Sequence, residues 1–459
     1  MSAGTTTIYQ VALNLLPVPP VQIRHLHAVA PDATALAALT AADLVEVLGP
    51  DAPTLAELAP AGQPDLSPRD GWWARVVAGK LGYGSPLPWP PGPGEDGAAL
   101  LDRAVSECRR TSALGIEVLT LDDARYPSLL AAIHAPPLVL YVRGDLEGVF
   151  PAPARAAPHA AIHSAWWSGD DGAAMPVSCD EPLRVAVVGS RRASDYGLGV
   201  ARASGRALAE AGVHVVSGLA LGIDAAAHHG ALDAPGRTIA VLGGGLADVD
   251  APQGGLAAAS WPLRNTPLAL RIPERGAVVS EYPLGTPPLP AHFPRRNRII
   301  AGLCPAVALV EAASRSGALT TARLALEEGR EVFAVPGRIT TTTAAGCNAL
   351  ILEGAARALL SPGQLLDELP DHWKSGVSAR ILLKGCIGGP LPVGLTALQA
   401  RLIELLQMDD TLPLDALVGR SAEPAGTVLA ALMSLEIQGV LKTLPGGFYR
   451  LGAGPFGGN

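Results

Sequence analysis

The chain has 459 residues, 49% of them hydrophobic and only 4% aromatic, with a formal net charge of −8. Such a length suggests two to four domains with full cores of small aliphatic side chains, and the apolar share excludes a disordered chain. The acidic balance argues against general wrapping of nucleic acid, so any site for it must be a local basic pocket on an acidic body.

No run of about 18 uncharged apolar residues occurs, so a transmembrane helix and a membrane partner are not expected. Met1–Gln10 has neither the basic start nor the apolar stretch of a signal peptide. Five scattered cysteines, Cys108, Cys179, Cys304, Cys347 and Cys386, show no CxxC pairing. They suit a reducing compartment, so a cytoplasmic protein is expected.

Residues 1–83 carry short apolar runs (Leu36, Leu39, Leu44, Leu48) at helical spacing and end near Trp72 and Trp73. A Pro/Gly-rich break follows at 84–97. Residues 98–146 predict a helix over Ala98–Thr111, then a small α/β lead-in whose strand is Leu138–Val142. Residues 147–180, rich in Ala, Pro, His and Gly, predict a flexible insertion. Across 181–362, short apolar strands alternate with helices, the mark of a Rossmann-like parallel sheet covered on both faces. The strands are Val185–Val188, Val213–Val216, Thr238–Leu242, Val278–Ser280, Ala306–Val310 and Glu331–Val335. The helices are Gly197–Ala211, Ile223–Leu232, Arg296–Ala301, Ala318–Glu328 and Cys347–Gly354. A last unit at 393–451 offers two helices, about Ala397–Gln407 and Thr427–Ile437, then two extended pieces around Pro445–Gly447, an order that suits a winged helix.

Ligands of such sheets sit at the carboxyl ends of the strands. The first strand runs into Gly189, Ser190, Arg191 and Arg192, which make either an anion site below a helix N-terminus or a turn with two solvated arginines. The second ends in Ser217 and Gly218, followed by Asp224 and His228, four apart on one helix. That spacing allows a local structural pair and does not complete a metal set. Prolines 287, 288 and 290 predict a non-helical loop through His292 and Phe293. Arg295, Arg296, Asn297 and Arg298 then open a helix without an acid among them. One aromatic face, three guanidinium groups and an amide suit single-stranded nucleic acid; the plain alternative is a solvated basic helix start with Phe293 in the core. Arginines at a helix N-terminus oppose its dipole, which a docked anion would relieve. Ser316, Gly317, Thr320 and Thr321, then Gly337, Gly346 and Asn348, add donors along the same edge. No P-loop string occurs. The bare GxGxxG strings at Gly92–Gly97 and Gly452–Gly457 join no strand to a helix.

The ordered strings "VAVVGSRRASDYG", "SGLALGIDAAAHHGAL", "SEYP…HFPRRNRIIAG", "LVEAASRSGALTTA" and "FAVPGRI…AGCNALILEGA" resemble the DprA/Smf family. "DARYPSLLAAIHAPPLVLYVRGDL" extends the resemblance upstream, and 393–451 is similar to the family's winged helix. The resemblance implies an extended Rossmann-like fold and single-stranded DNA binding without strong sequence preference. It also implies a homodimer through the Rossmann-like domain and loading of the recombinase RecA during transformation, with no cofactor and no catalysis. The implied DNA-binding residues are Gly189, Ser190, Arg191, Arg192, Ser217, Gly218, Phe293, Arg295, Arg296, Asn297, Arg298, Thr320, Gly337 and Asn348, with Asp224 and His228 supporting them. The sequence departs from the family pattern at Leu221, where a basic residue is usual, at Cys304, where serine is common, and across a rebuilt stretch, Ala247–Arg264. The first 80 residues match only loosely a helix-hairpin (SAM-like) start.

Two other readings compete. A nucleotide-processing enzyme of the phosphoribohydrolase type would need PGGxGTxxE, where this chain has "PGRITTTT". A duplex-binding regulator would need a basic winged helix. Residues 395–451 carry Arg401, Arg420, Lys442 and Arg450 against Glu404, Asp409, Asp410, Asp415, Glu423 and Glu436. Duplex affinity rests on neutralising phosphates, so this unit reads as a protein-contact module.

Overall fold

The structure, a computed structural model, describes residues 3–15, 20–40, 43–44, 47, 96–152, 181–246, 263–286, 288–369, 396–408, 411–437, 440–444 and 446–451. Trp72 and Trp73, the expected insertion from 153 to 180, and most of the rebuilt stretch (247–262) lie outside the described residues. The chain divides into two compact units, 1–385 and 386–459.

In the first unit, helices α1 (Ala3–Asn14), α2 (Pro20–Val29) and α3 (Ala33–Ala37) precede α4 (Gly97–Ala113), which Asp96 caps by accepting from Ala99 N at 2.9 Å. There follow β1 (Glu117–Thr120), α5 (Ser128–Ala131), β2 (Val139–Gly144) and α6 (Leu146–Val149). The α/β alternation comprises β3 (Arg184–Val188), α7 (Asp195–Glu210), β4 (His214–Ser217), α8 (Ile223–Asp233), β5 (Thr238–Val241), α9 (Thr266–Arg271) and β6 (Ala277–Ser280). It continues through α10 (His292–Gly302), β7 (Ala306–Leu309), α11 (Gly317–Glu327), β8 (Glu331–Ala334), α12 (Ala345–Leu352), β9 (Arg357–Ala358) and α13 (Gln364–Asp367). Gly212 and Gly329, both at positive φ, follow α7 and α11, where a left-handed residue ends a helix.

All nine strands join one sheet in the order β1-β2-β6-β5-β4-β3-β7-β8-β9. From β6 to β9 the pairing is parallel, and β2 and β1 are antiparallel additions. The 98–146 lead-in therefore widens this sheet. In β3, β4 and β7 side chains alternate between two cores: Val185, Val187, Val215 and Ala308 face one, and Ala186, Val188, Val216 and Leu309 the other. Burial on both faces explains why these strands are mostly apolar. The chain runs from β3 outward to β6, then returns to β7 on the other side of β3. That reversal opens a crevice at the carboxyl ends of β3 and β7.

The second unit holds α14 (Ala397–Met408), β10 (Leu412–Pro413), α15 (Leu414–Ser421), α16 (Ala425–Ile437), β11 (Leu441–Leu444) and β12 (Phe448–Leu451), with sheet order β10-β12-β11. Leu402, Leu406, Leu417, Val428, Leu432 and Leu435 form its core. This is a winged helix. The sequence reading had its first and last helices but not α15. Among the described residues, no helix is long and apolar enough to cross a membrane.

Candidate nucleic-acid interface

Helix α10 starts at His292, so the loop expected through Phe293 is helical from there. Pro294 is tolerated because its missing N–H falls in the first turn, where no helical partner exists. Spacing on the helix then sorts the basic residues. Phe293 and Arg296 are three apart and share a face, as do Arg295 and Arg298.

On the first face, the Phe293 ring lies between two cations. The Arg191 guanidinium is 5.2 Å and that of Arg296 6.0 Å from its centroid. The ring is half-buried, leaving part of it open, and a Cβ on Gly243 would stand 3.1 Å from its edge. Arg191 and Arg192 are exposed. Arg296 is buried, donating from Nη1 to Val241 O at 2.6 Å, while its Nε is buried with no hydrogen-bond partner among the described residues. Gly218 makes room for it: a Cβ there would meet Arg296 Nη1 at 2.0 Å. Burial pulls the Arg296 pKa down to about 10, and Asp224 acts against that fall, so Arg296 stays charged at neutral pH. Burial likewise raises the Asp224 carboxyl, opposed by Arg296.

On the second face, Arg298 turns into the fold. It ion-pairs with the buried Glu281, which Arg295 also reaches at 3.5 Å. An Arg298 held this way has no surface for a phosphate, so its expected contact with DNA gives way to positioning of α10. Arg295 remains half-exposed, with its guanidinium 5.9 Å from the Tyr282 ring. His292 stacks on Tyr282 at 4.1 Å, and its Nδ1 donates to Gly243 O at 3.1 Å.

Several other expected residues prove to be internal. Ser217 Oγ donates to Val187 O at 2.6 Å and is fully buried. Asp224 and His228 do not serve each other, as their spacing had suggested. Asp224 accepts from Gly218 N at 3.1 Å and Ala220 N at 3.4 Å, whereas His228 Nδ1 donates to Thr238 Oγ1 at 2.6 Å. Asn348 spends both amide atoms on Gly337, accepting from its N at 3.1 Å and donating to its O at 2.9 Å. Asn297 donates to Gly317 O at 3.4 Å, tying α10 to the start of α11, where Thr320 is half-buried. Gly189 lies against Glu311 O and Ile223, and Ser190 Oγ accepts from Arg192 N at 3.1 Å. The helix α7 N-terminus, expected to face an anion, already has one. Ser194 caps it, and Ser194 N and Oγ donate to the two carboxylate oxygens of Glu311 at 2.9 and 2.5 Å.

Residues missed in the sequence are Gly243, Glu281, Tyr282 and Glu311. Each lies within two residues of a strand's carboxyl end, which was the available signal. The turn after β4 is strained at Leu219 (φ 56°), and Asn265 holds it by donating to Leu219 O and Ala220 O. Leu221, where the family places a basic residue, is half-buried in the same turn.

Residues 176–370 match the family model of DNA recombination-mediator protein A, and 389–447 match that of the DprA winged helix domain. Protein Smf of Escherichia coli is 36% identical over 352 residues, covering 73% of this chain and 77% of that protein. The chain belongs to the DprA/Smf family. The X-ray structure of DprA from Streptococcus pneumoniae shares 34% identity and covers 60% of this chain and 83% of that one, with a TM-score of 0.46. A structure addressing the single-stranded DNA binding mode of DprA from Helicobacter pylori shares 26% identity and covers 55% and 94%, with a TM-score of 0.42. Among the described residues of this DprA/Smf chain, no group of three His, Cys, Asp or Glu side chains could hold a metal ion.

Proposed function

We propose that this DprA/Smf protein binds single-stranded DNA with little sequence bias and loads a RecA-type recombinase onto it. The observation that carries the binding is the half-open Phe293 ring between Arg191 and Arg296 at the carboxyl edge of the sheet. Every base has a π-face, so a flanked aromatic accepts any base, while the exposed Arg191 and Arg192 and the half-exposed Arg295 follow the backbone. Gly189, Ser190, Gly218 and Thr320 shape this edge. Ser217, Asp224, His228, Asn348 and Arg298 hold it in place.

Helix α16 is the winged helix's third helix, the element that reads a major groove in duplex binders, and it carries no basic residue. Gel shifts with single- and double-stranded oligonucleotides of one sequence test the reading. Tighter binding of the single strand is expected; equal or tighter binding of the duplex would refute it.

The mediator role is supported by the match to the recombination-mediator family model and needs its own test. Recombinase ATPase is followed on strands coated with single-strand-binding protein. A mediator shortens the lag at substoichiometric amounts, whereas a passive protector lengthens it at every amount. The protein acts without turnover in this reading, and a nucleotide hydrolysis lost on changing Arg191 or Phe293 would overturn that part. A homodimer is also proposed. Ile339 (95% exposed), Leu352 (89%) and Leu360 (66%) lie on the segments around β9, at the open edge of the sheet, and apolar side chains this exposed favour a partner.

A further inference from the structure

In α/β sheets of this kind, a ligand phosphate sits in the crevice where the strand order reverses, on the N-terminus of the helix that follows the first strand. Here that place is the start of α7, between β3 and β7. Glu311, two residues past the end of β7, fills it. Its Oε2 accepts from Ser194 N at 2.9 Å and its Oε1 from Ser194 Oγ at 2.5 Å, and Ser194 Oγ accepts in turn from Gly197 N at 3.1 Å. The carboxylate is buried, and Gly197 is the residue that lets it in: a Cβ there would stand 2.6 Å from Glu311 Cδ.

We infer that Glu311 is a specificity-determining residue, an internal anion that takes the place of a nucleotide phosphate at the α7 N-terminus. A carboxylate and a phosphate compete for the Ser194 N–H and hydroxyl and for the same positive end of the helix dipole, and both cannot be buried within van der Waals distance of each other. With the carboxylate tethered to β7, its local concentration exceeds that of any free nucleotide, so mononucleotides are excluded from the switch point. What remains open is the neighbouring edge around Phe293, which an extended strand can follow and a single phosphate cannot occupy with the same grip. The exclusion of mononucleotides does not depend on the DNA reading, and the experiment below needs no DNA.

The full chain is compared with Glu311→Gln and Glu311→Ala in thermal unfolding, in chloride and in phosphate at matched ionic strength. Glu311→Gln keeps the shape and removes the charge, so a fall in Tm of roughly 2–6 °C is expected. Glu311→Ala should fall further and regain much of the loss in millimolar inorganic phosphate, while the unaltered chain shows no such gain. Titration calorimetry with adenosine monophosphate should likewise detect binding to Glu311→Ala alone. A Glu311→Gln protein as stable as the unaltered chain would mean that the charge does not matter, and the inference falls. It falls too if phosphate gives Glu311→Ala no advantage over chloride, including the case where that variant is recovered folded in neither salt.

Discussion

Arg298, buried on α10, and Arg191, exposed beside Phe293, have opposite surroundings, and their substitutions should separate binding from folding. Arg298 and Glu281 are both buried and paired, so Arg298→Ala leaves a carboxylate with one fewer partner in the core. Breaking such a pair costs about 3–5 kcal/mol, and the expected result is a lower urea midpoint with any DNA defect secondary to it. Arg191 is exposed beside Phe293, so Arg191→Ala should leave the midpoint unchanged. Its affinity for single strands should drop, and the log–log salt slope should become shallower by about 0.7. The reverse pattern, an unstable Arg191→Ala and a stable, binding-defective Arg298→Ala, would place the phosphate contact on the other face of the helix. Phe293→Ala should cost about 1–3 kcal/mol of binding by loss of stacking. Loss of fold without a specific binding defect would return Phe293 to the core. These contrasts were not legible in the sequence, where Arg295, Arg296 and Arg298 read as one basic cluster. Only the start of α10 at His292, and the placing of Glu281 just after β6, show which arginine turns inward.

At the scale of elements, β3 to β8 and the main helices between them were legible because each strand is a short, mostly apolar run and helices alternate with them. β1 was not, since Glu117–Thr120 pairs, among the described residues, with β2 alone and carries an exposed glutamate. The supporting contacts were equally hidden. Ser217, His228 and Asn348 look like ligand groups in a sequence, yet each satisfies a buried backbone or hydroxyl group that only the register of neighbouring elements supplies. His228 gives a measurable consequence. Thr238 Oγ1 donates to Val215 O and so accepts from His228 Nδ1, which leaves Nε2 unprotonated, buried and, among the described residues, without a hydrogen-bond partner. Burial holds its pKa near 3, below the ordinary 6.5. A histidine whose folded pKa is depressed stabilises the fold fully above about 6.5 and loses that contribution as the pH falls toward 3. The unfolded state binds the extra proton there, and the slope is about 1.4 kcal/mol per pH unit for each such histidine. His214, also near 3 through burial, should act alike, while buried carboxyls raised by burial, such as Glu107, act in the opposite sense. Denaturant midpoints of His228→Gln and the unaltered chain at pH 7.5 and 5 isolate the one contribution. The unaltered chain should lose more stability between the two pH values, and equal losses would contradict a neutral buried His228. Between elements, Gly218→Ala should push the Arg296 guanidinium off Val241 O and weaken binding more than it lowers Tm, as paired gel-shift and melting curves can check.

For the whole molecule, the DNA edge has to be joined to the recombinase, and the proposed dimer bears on how. A single Phe293 site grips a short stretch of strand, and arginine contacts alone weaken as salt rises. Two copies on one strand make the second contact intramolecular, so residence lengthens without any new chemistry at the site. A loader also has to leave once the filament starts. A dimer of modest sites meets both needs, because each half can let go while the other holds. The apolar residues around β9 are where such a contact is expected, since β9 has only two residues and, among the described residues, ends the sheet with its outer edge unpaired. Leu352 is 89% exposed on the last turn of α12, so Leu352→Asp removes no internal packing. This substitution should leave Tm measured at low protein concentration nearly unchanged and shift sedimentation from dimer to monomer. Affinity for a strand long enough for two copies should fall, while that for a strand holding one copy should not. The recombinase lag on coated strands should then lengthen together with the loss of long-strand affinity. A Leu352→Asp protein that stays dimeric would move the interface elsewhere. One that becomes monomeric but still shortens the lag as before would show that a single copy suffices for loading, and the argument from two linked sites would fail.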